Sequence, residues 1–314
     1  MTPERVRAIV FHSHGVGQLI KLDQFPEKGE TLCSVSWEIG DDGAKGSNTA
    51  AAMAMLDIET AFIGSVGADI WAEIGLDWLR RCDVELSQLI SRANMRTQIG
   101  IVLVNSDGDN SIILGGDTSR FTEDEIVHGI EAFENAELLV TGFEIDATSA
   151  VNIARRAKAH GKYVVFNASP VPKEDFGSLD FADLVIVNEL ECAQLLKRRG
   201  IVPPEALPSA LSTLRHAYGC AACILTVGSS GSYLDDGGHI LHFPAAETTV
   251  VDTSGAGDSY LAAVSAALLR GHTLPAACRF ATLYAAETVK HAGTFPAFRS
   301  LNEMRDLYDE FKLF

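Results

Sequence analysis

The sequence predicts an α/β protein, a doubly wound, mostly parallel sheet flanked by helices, with a small projecting β-sheet lid. Three observations carry this. Short β-rich apolar runs alternate with amphipathic helical stretches from residue 46 to residue 227, the rhythm of strand-helix-strand units. Runs such as Leu138-Leu139-Val140 and Leu184-Val185-Ile186-Val187 are continuously apolar, as strands covered on both faces should be. Two stretches, 14–41 and 97–119, break the rhythm with alternating or isolated strand signals.

In order, a first strand spans 6–11, and a helix at 46–57, a strand at 59–63 and a helix at 68–82 follow the first irregular stretch. The irregular stretches hold Thr31-Leu32-Cys33-Ser34-Val35-Ser36-Trp37, then Ile99 to Val104, the turn Asn105-Ser106-Asp107-Gly108-Asp109 and a strand from Ser111 to Leu114. A sheet this thin cannot bury both faces alone, so it is expected to cover a site or to pair with a second copy in a homodimer. Beyond it come a helix at 122–133, strand 137–141, helix 146–160, strands 163–167 and 183–187, helices 189–199 and 205–218, and strand 222–227. Two antiparallel runs, 231–235 and 239–243, flank the turn Asp236-Gly237-Gly238. Helices at 256–270 and 274–291 follow. The first stops at Arg270-Gly271, and the second starts with Thr273 as N-cap and Pro275 in its first turn. The expected division is a large domain of 1–13, 42–96 and 120–314, and a lid of 14–41 and 97–119.

Composition narrows the function. The chain has 314 residues, with 25 Lys+Arg against 42 Asp+Glu and a formal charge of −17. A nucleic-acid backbone would meet a repulsive mean field, so no nucleic-acid partner is expected, while a small anion in a local pocket is compatible. The opening Met1-Thr2-Pro3-Glu4-Arg5 has no signal-peptide pattern and no apolar window reaches membrane-span length, so a soluble, cytoplasmic protein without a membrane partner is expected. Cys220-Ala-Ala-Cys223 has redox or zinc spacing but runs into an apolar strand without a second Cys or His pair, which favours buried thiols.

The most informative segment is Val250-Val251-Asp252-Thr253-Ser254-Gly255-Ala256-Gly257-Asp258-Ser259-Tyr260, between a β run and an Ala/Leu-rich helix. Gly255 and Gly257 let a ligand approach the backbone, and the amides of Gly255, Ala256, Gly257 and Asp258 form an anion cradle at a helix N-terminus. Asp258, in the first turn, can take the proton of a hydroxyl that attacks a phosphoryl group held there. As a bare Gly-x-Gly-Asp the segment is only a capped helix. The full string Asp-Thr-x-Gly-Ala-Gly-Asp resembles the C-terminal signature of the PfkB, or ribokinase-like, carbohydrate kinases.

Other segments extend the resemblance. Phe25 to Thr31 is similar to the family's lead-in to the lid, and Asp42-Gly43-Ala44-Lys45-Gly46-Ser47-Asn48 resembles its Gly-Gly-Lys-Gly-x-Asn motif, with Ala44 replacing a glycine. Gly43 can admit a sugar, while Lys45 and Asn48 supply polar contacts. The resemblance makes Glu144 a sugar contact and sets Asn167 near the cleft. It assigns Asn188 and Glu191 of Asn-x-x-Glu to phosphate and Mg2+ handling, Glu191 through water. Thr226-Val227-Gly228-Ser229-Ser230-Gly231 resembles the nucleotide turn, implicating Thr226, Gly228, Ser229 and Gly231, and the stretch Phe280 to Glu287, with its helix ending at Gly293, resembles the segment flanking adenine. Asp252, Ser254 and Gly293 fall where the family binds a monovalent cation, implying K+ activation.

One departure bears on the acceptor. The aspartate with which ribokinase grips two adjacent ribose hydroxyls aligns with Gly17, which puts ribose in question. His12 and His14 would share a face if the first strand persisted, but read more simply as polar residues at its end. No Gly-x-x-x-x-Gly-Lys-Ser/Thr loop and no Gly-x-Gly-x-x-Gly after the first strand occurs, which disfavours P-loop NTPases and Rossmann oxidoreductases. The expectation is ATP- and Mg2+-dependent phosphorylation of a small sugar hydroxyl. The alternatives are a nucleoside kinase of the same fold and a non-catalytic ligand-binding regulator.

Overall fold

The computed structural model describes residues 5–107, 109–309 and 312, without the side chains of Asn110 and Ile112. Met1–Glu4 and Gly108 of the expected 105–109 turn lie outside the described residues. The main sheet has eight strands in the order Ile240–Phe243, Ser232–Asp235, Ala222–Thr226, Leu184–Asn188, Tyr163–Asn167, Leu138–Gly142, Ala8–Phe11, Thr60–Ile63. The six strands from Ala222–Thr226 to Thr60–Ile63 run parallel, and the last hairpin adds two antiparallel strands at one edge.

Side-chain alternation along these strands divides the interior into two cores. Ala8, Val10, Leu138, Val140, Ile186 and Ile224 face one core, closed by helices Lys45–Met55, Ile70–Arg81, Ala256–Leu269, Leu274–Thr288 and Leu301–Leu307. Ile9, Phe11, Leu139, Phe166, Val185 and Leu225 face the other, closed by Glu123–Glu131, Ala147–Ala159, Glu189–Arg198 and Leu207–Tyr218. The continuous apolar runs are therefore needed by both faces, and the α/β expectation holds. The expected cap is in place, Thr273 accepting from the Ala276 amide, and Asn188 and Glu191 form a reciprocal capping box that was not anticipated.

A second, separate sheet has the order Ser36–Ile39, Gly15–Lys21, Gln98–Val104, Asn110–Gly115. The strand expected at 31–37 is displaced to Ser36–Ile39. Its partner Gly15–Lys21 runs out where Lys21 meets Ser36, so Thr31–Ser34 have no ladder to join. The helix expected to 291 ends at Thr288. The three-residue parallel pair Ser65–Gly67 with Ile90–Arg92, and the helix Leu301–Leu307, were not anticipated. No helix among the described residues is long and apolar enough to cross a membrane.

Two helices place the chemistry. Lys45–Met55 and Ala256–Leu269 are rich in alanine and pack on each other through buried small residues, including Ala50, Ala51, Ala262 and Ala263. The close approach brings their first turns together at the C-terminal ends of the parallel strands, where ligands bind in open α/β sheets.

Candidate active site

Asn48 joins the two first turns. Its Nδ2 donates to Asp258 Oδ2 at 2.7 Å and to Asp42 Oδ1 at 3.0 Å, while its Oδ1 accepts from the Gly43 amide at 2.9 Å. One amide side chain thus spends both of its protons on two carboxylates. The Lys45 ammonium lies 3.9 Å from Asp258 Oδ1, and the Lys45 backbone amide donates to Glu144 Oε2 at 2.7 Å. Glu144 also accepts from the Ser13 hydroxyl. Gly43, Lys45 and Asn48 from one segment form a single cluster with the distant Glu144 and Asp258.

Burial sets its electrostatics. Asp258 is 8% exposed, and desolvation pushes its carboxyl above the usual range against the opposing pull of Lys45 and Asn48. Burial likewise raises Glu144, and raises Asp42 to about 6. Burial alone would lower Lys45, but the carboxylates of Asp258, Glu144, Glu191 and Asp42 outweigh it and hold the ammonium charged. A buried carboxylate with a raised pKa is a stronger base than a free one.

Gly255 is the N-cap of the Asp258 helix, with φ +72°, and a Cβ there would stand 2.6 Å from Thr294 Cγ2. Gly257 faces open space, with nothing within 4 Å of a Cβ. The Ala256 amide makes a long 3.3 Å bond to the Thr253 carbonyl, and the first bond of the helix proper is Ser259 N to Gly255 O at 2.8 Å. Asp252 fastens the loop, accepting from the Ser254 amide and from the Gly293 amide, both at 2.9 Å.

Along the strand ends, Asn188 and Thr226 are neighbours in register. Both Glu191 oxygens accept from Asn188, one from its backbone amide at 2.8 Å and one from its side chain at 3.0 Å. Gly228 and Ser229 belong to a single 3-10 turn, Gly228–Ser230, and a Cβ on Gly228 would meet open space. Gly231 has a structural reason: at φ +91° its Cβ would fall 2.0 Å from the Phe243 carbonyl of the last hairpin. Phe280, Ala281 and Tyr284, expected near adenine, point into the core. Asn167 ends its strand and reaches only the Ile186 carbonyl at 3.4 Å.

The first strand stops at Phe11, short of His12 and His14, and both rings are buried. His12 bonds Ser13 and His14 bonds Ser47, and burial lowers them to about 3 and about 4, so both are neutral. The Cys220 and Cys223 sulfurs lie 3.0 Å apart in the core. A concavity of about 420 Å³ lined by Ile39, Asp41, Trp78 and Arg81 lies outside the Asp258 cluster, whereas a small one of about 50 Å³ is lined by Gly17, Asp42, Asp252, Ser254 and Gly293.

The sequence pattern of the pfkB family carbohydrate kinases matches residues 30–299. The chain belongs to the pfkB family. As a member it is a sugar kinase of the ribokinase-like kind, as the glycine-rich string 252–258 predicts. The pfkB chain is 25% identical to the ribokinase of Staphylococcus aureus (strain COL) over 303 residues, covering 96% of this chain and 99% of that protein. It is 26% identical to a deoxyribokinase of Salmonella typhi over 303 residues, covering 95% and 98%. Its fold is similar to the structure of Arabidopsis thaliana ribokinase complexed with ribose and ATP, with a TM-score of 0.84, 27% identity and coverage of 98% and 99%. Asp42, one position before Gly43, joins the Asp258 cluster through Asn48, and the pfkB motifs do not single it out.

Proposed function

We propose that the chain transfers the γ-phosphoryl group of ATP to a hydroxyl of a small sugar or polyol, with Asp258 as the base. The observation that carries this is the buried Asp258 carboxylate held by Asn48 and Lys45 in the first turn of a glycine-started helix. The relatives support it, since they are ribokinases and a deoxyribokinase, and the Arabidopsis protein holds ribose and ATP. The acceptor hydroxyl gives its proton to Asp258 as its oxygen attacks the phosphorus in line, and ADP leaves. Amides of Gly255, Ala256, Gly257 and Asp258 take the equatorial phosphoryl oxygens, the Ala256 amide exchanging its long bond to Thr253 for the ligand.

Gly43, Lys45, Asn48 and Glu144 contact the acceptor, while Asn188, Thr226, Gly228, Ser229 and Gly231 lie along the nucleotide. Each Glu191 oxygen keeps a lone pair beyond its bond to Asn188, so the carboxylate fits water-mediated contact with Mg2+. Mg2+, when bound, neutralises phosphate charge. K+ would be held at Asp252, Ser254 and Gly293, chiefly through backbone carbonyls, while the Asp252 carboxylate fastens the loop through the Ser254 and Gly293 amides. Equal rates in Na+ and K+ buffers would remove that part of the proposal.

The second sheet, with the segments 14–41 and 97–119 as lid, exposes Trp37, Ile39 and Ile113 on one face by 58%, 41% and 54%, which suits a homodimer contact. A monomer by sedimentation would remove it. The test of the main reading is coupled ADP release over pentoses, hexoses, polyols and nucleosides. Turnover with sugars or polyols is the expected result. Turnover with nucleosides alone would replace the acceptor class, and none at all would favour a non-catalytic sensor.

A further inference from the structure

Gly17 and Asp42 occupy one space. The Gly17 amide donates to the Asp42 carbonyl at 2.7 Å, and the Gly40 amide returns to the Gly17 carbonyl at 3.0 Å, so the two segments are clamped face to face. A Cβ on residue 17 would stand 2.5 Å from Asp42 Cβ and 2.9 Å from Asp42 Oδ2. No side chain fits at 17 while Asp42 holds its place, and the Asp42 carboxylate lies where a side chain at 17 would begin.

We propose that Asp42 is a specificity-determining acceptor residue, gripping a sugar hydroxyl remote from the one phosphorylated from the space that a side chain at position 17 would otherwise fill. This rests on the kinase reading above. Asp42 Oδ1 shares the Asn48 amide nitrogen with the base Asp258, so a ligand whose reacting hydroxyl meets Asp258 brings its more distant hydroxyls toward Asp42. Asp42 keeps some exposure although most of its carboxyl is desolvated, and it lines the small cavity with Gly17, so it is within reach of a ligand. An ionised carboxylate only accepts hydrogen bonds, which suits hydroxyl donors and gives nothing to a bare methylene. The substrate class is therefore a carbohydrate or polyol with at least one free hydroxyl several bonds from the transfer site. The competing explanation is structural, Asp42 merely holding Asn48 in place.

Steady-state kinetics separates the two, with D-ribose, 2-deoxy-D-ribose, D-fructose and ribitol as acceptors at saturating MgATP. In Asp42→Ala the acceptor KM should rise about 10- to 100-fold, the loss of one charge-assisted hydrogen bond, with the ATP KM within about twofold of the parent. Among acceptors that differ by one hydroxyl, the effect should collapse for the one lacking the gripped group. The relocated pair Gly17→Asp with Asp42→Gly should recover most of the loss, and if it does not fold, the isosteric Asp42→Asn decides by the same KM split. An unchanged acceptor KM, equal effects on every acceptor, or acceptor and ATP KM rising in parallel would overturn the proposal while leaving the kinase reading intact. Failure of the parent enzyme to use any of the four, or any member of the wider acceptor panel, would overturn both.

Discussion

The proposed phosphoryl end of the cleft, residues 252–258 with the turn at Gly228, is made of backbone, whereas the proposed acceptor end, Asp42, Lys45, Asn48 and Glu144, is made of charges tied to one another. At the first end glycines keep space open, and the loop is fastened from behind by Asp252 to Gly293. At the second, carboxylates are held above their ordinary pKa by burial around a single lysine. A backbone cradle suits any nucleoside triphosphate, because phosphate oxygens are the same in all of them. A cluster of directed carboxylates discriminates among acceptors, because each must be matched by a hydroxyl.

The largest effect is expected for Asp258→Asn, which removes the proposed base where the two ends meet. We expect kcat to fall by about 10³-fold or more with ATP binding unchanged, as for loss of a general base. Near-parental kcat in a rapid-quench assay would show that Asp258 does not take the proton. Next comes a pair of glycines. Gly231→Ala should destabilise by about 3 kcal/mol or more, since its Cβ meets a backbone carbonyl at a positive φ. Gly257→Ala should leave the denaturant midpoint nearly unchanged yet cut turnover about 10- to 100-fold, its methyl intruding only on ligand space. Equal loss of stability in both would mean that the open space at Gly257 belongs to the fold.

The smallest effect tests the charged end alone. Asp42 titrates near 6 when folded against 3.8 as its ordinary value, so between those limits the folded chain holds a proton that the unfolded chain has lost. This contribution to stability is greatest below about pH 4 and falls as pH rises through 6. Asp42→Asn should therefore flatten part of the slope of Tm against pH from 4 to 7, and raise Tm slightly at pH 7.5. The raised Asp258 and Glu144 leave a residual slope of the same sign. A Tm profile identical to the parent's would show that the surroundings of Asp42 do not raise its pKa.

The same contrast explains what could be read in advance. The 252–258 cradle is contiguous, so its chemistry sits in one string of residues. Helix boundaries came within a few residues wherever a cap marks them, as at Thr273 and Asn188. The acceptor end is assembled across separations of 33 residues from Ser13 to Gly46, 99 from Lys45 to Glu144 and 210 from Asn48 to Asp258. Local spacing carries no sign of those pairings; the family motif supplied Lys45, Asn48 and Glu144. Asp42 opens the 42–48 string without matching a defined motif position, and its place follows from the clamp to Gly17, visible only once Gly15–Lys21 has found its partners. The thin sheet was misjudged at Thr31–Ser34 for the same reason, since alternation shows which residues can form a strand but not where a neighbour ends.

The clamp between positions 17 and 42 also constrains how this chain can change over generations. A side chain gained at 17 collides with Asp42 before it can take over any contact, and a side chain lost at 42 leaves a gap that glycine at 17 cannot fill. A side chain at 17 thus needs a smaller residue at 42 or a moved backbone first, so the two positions are coupled. Under the proposed role of Asp42, an exchange between these positions has to change 42 before 17.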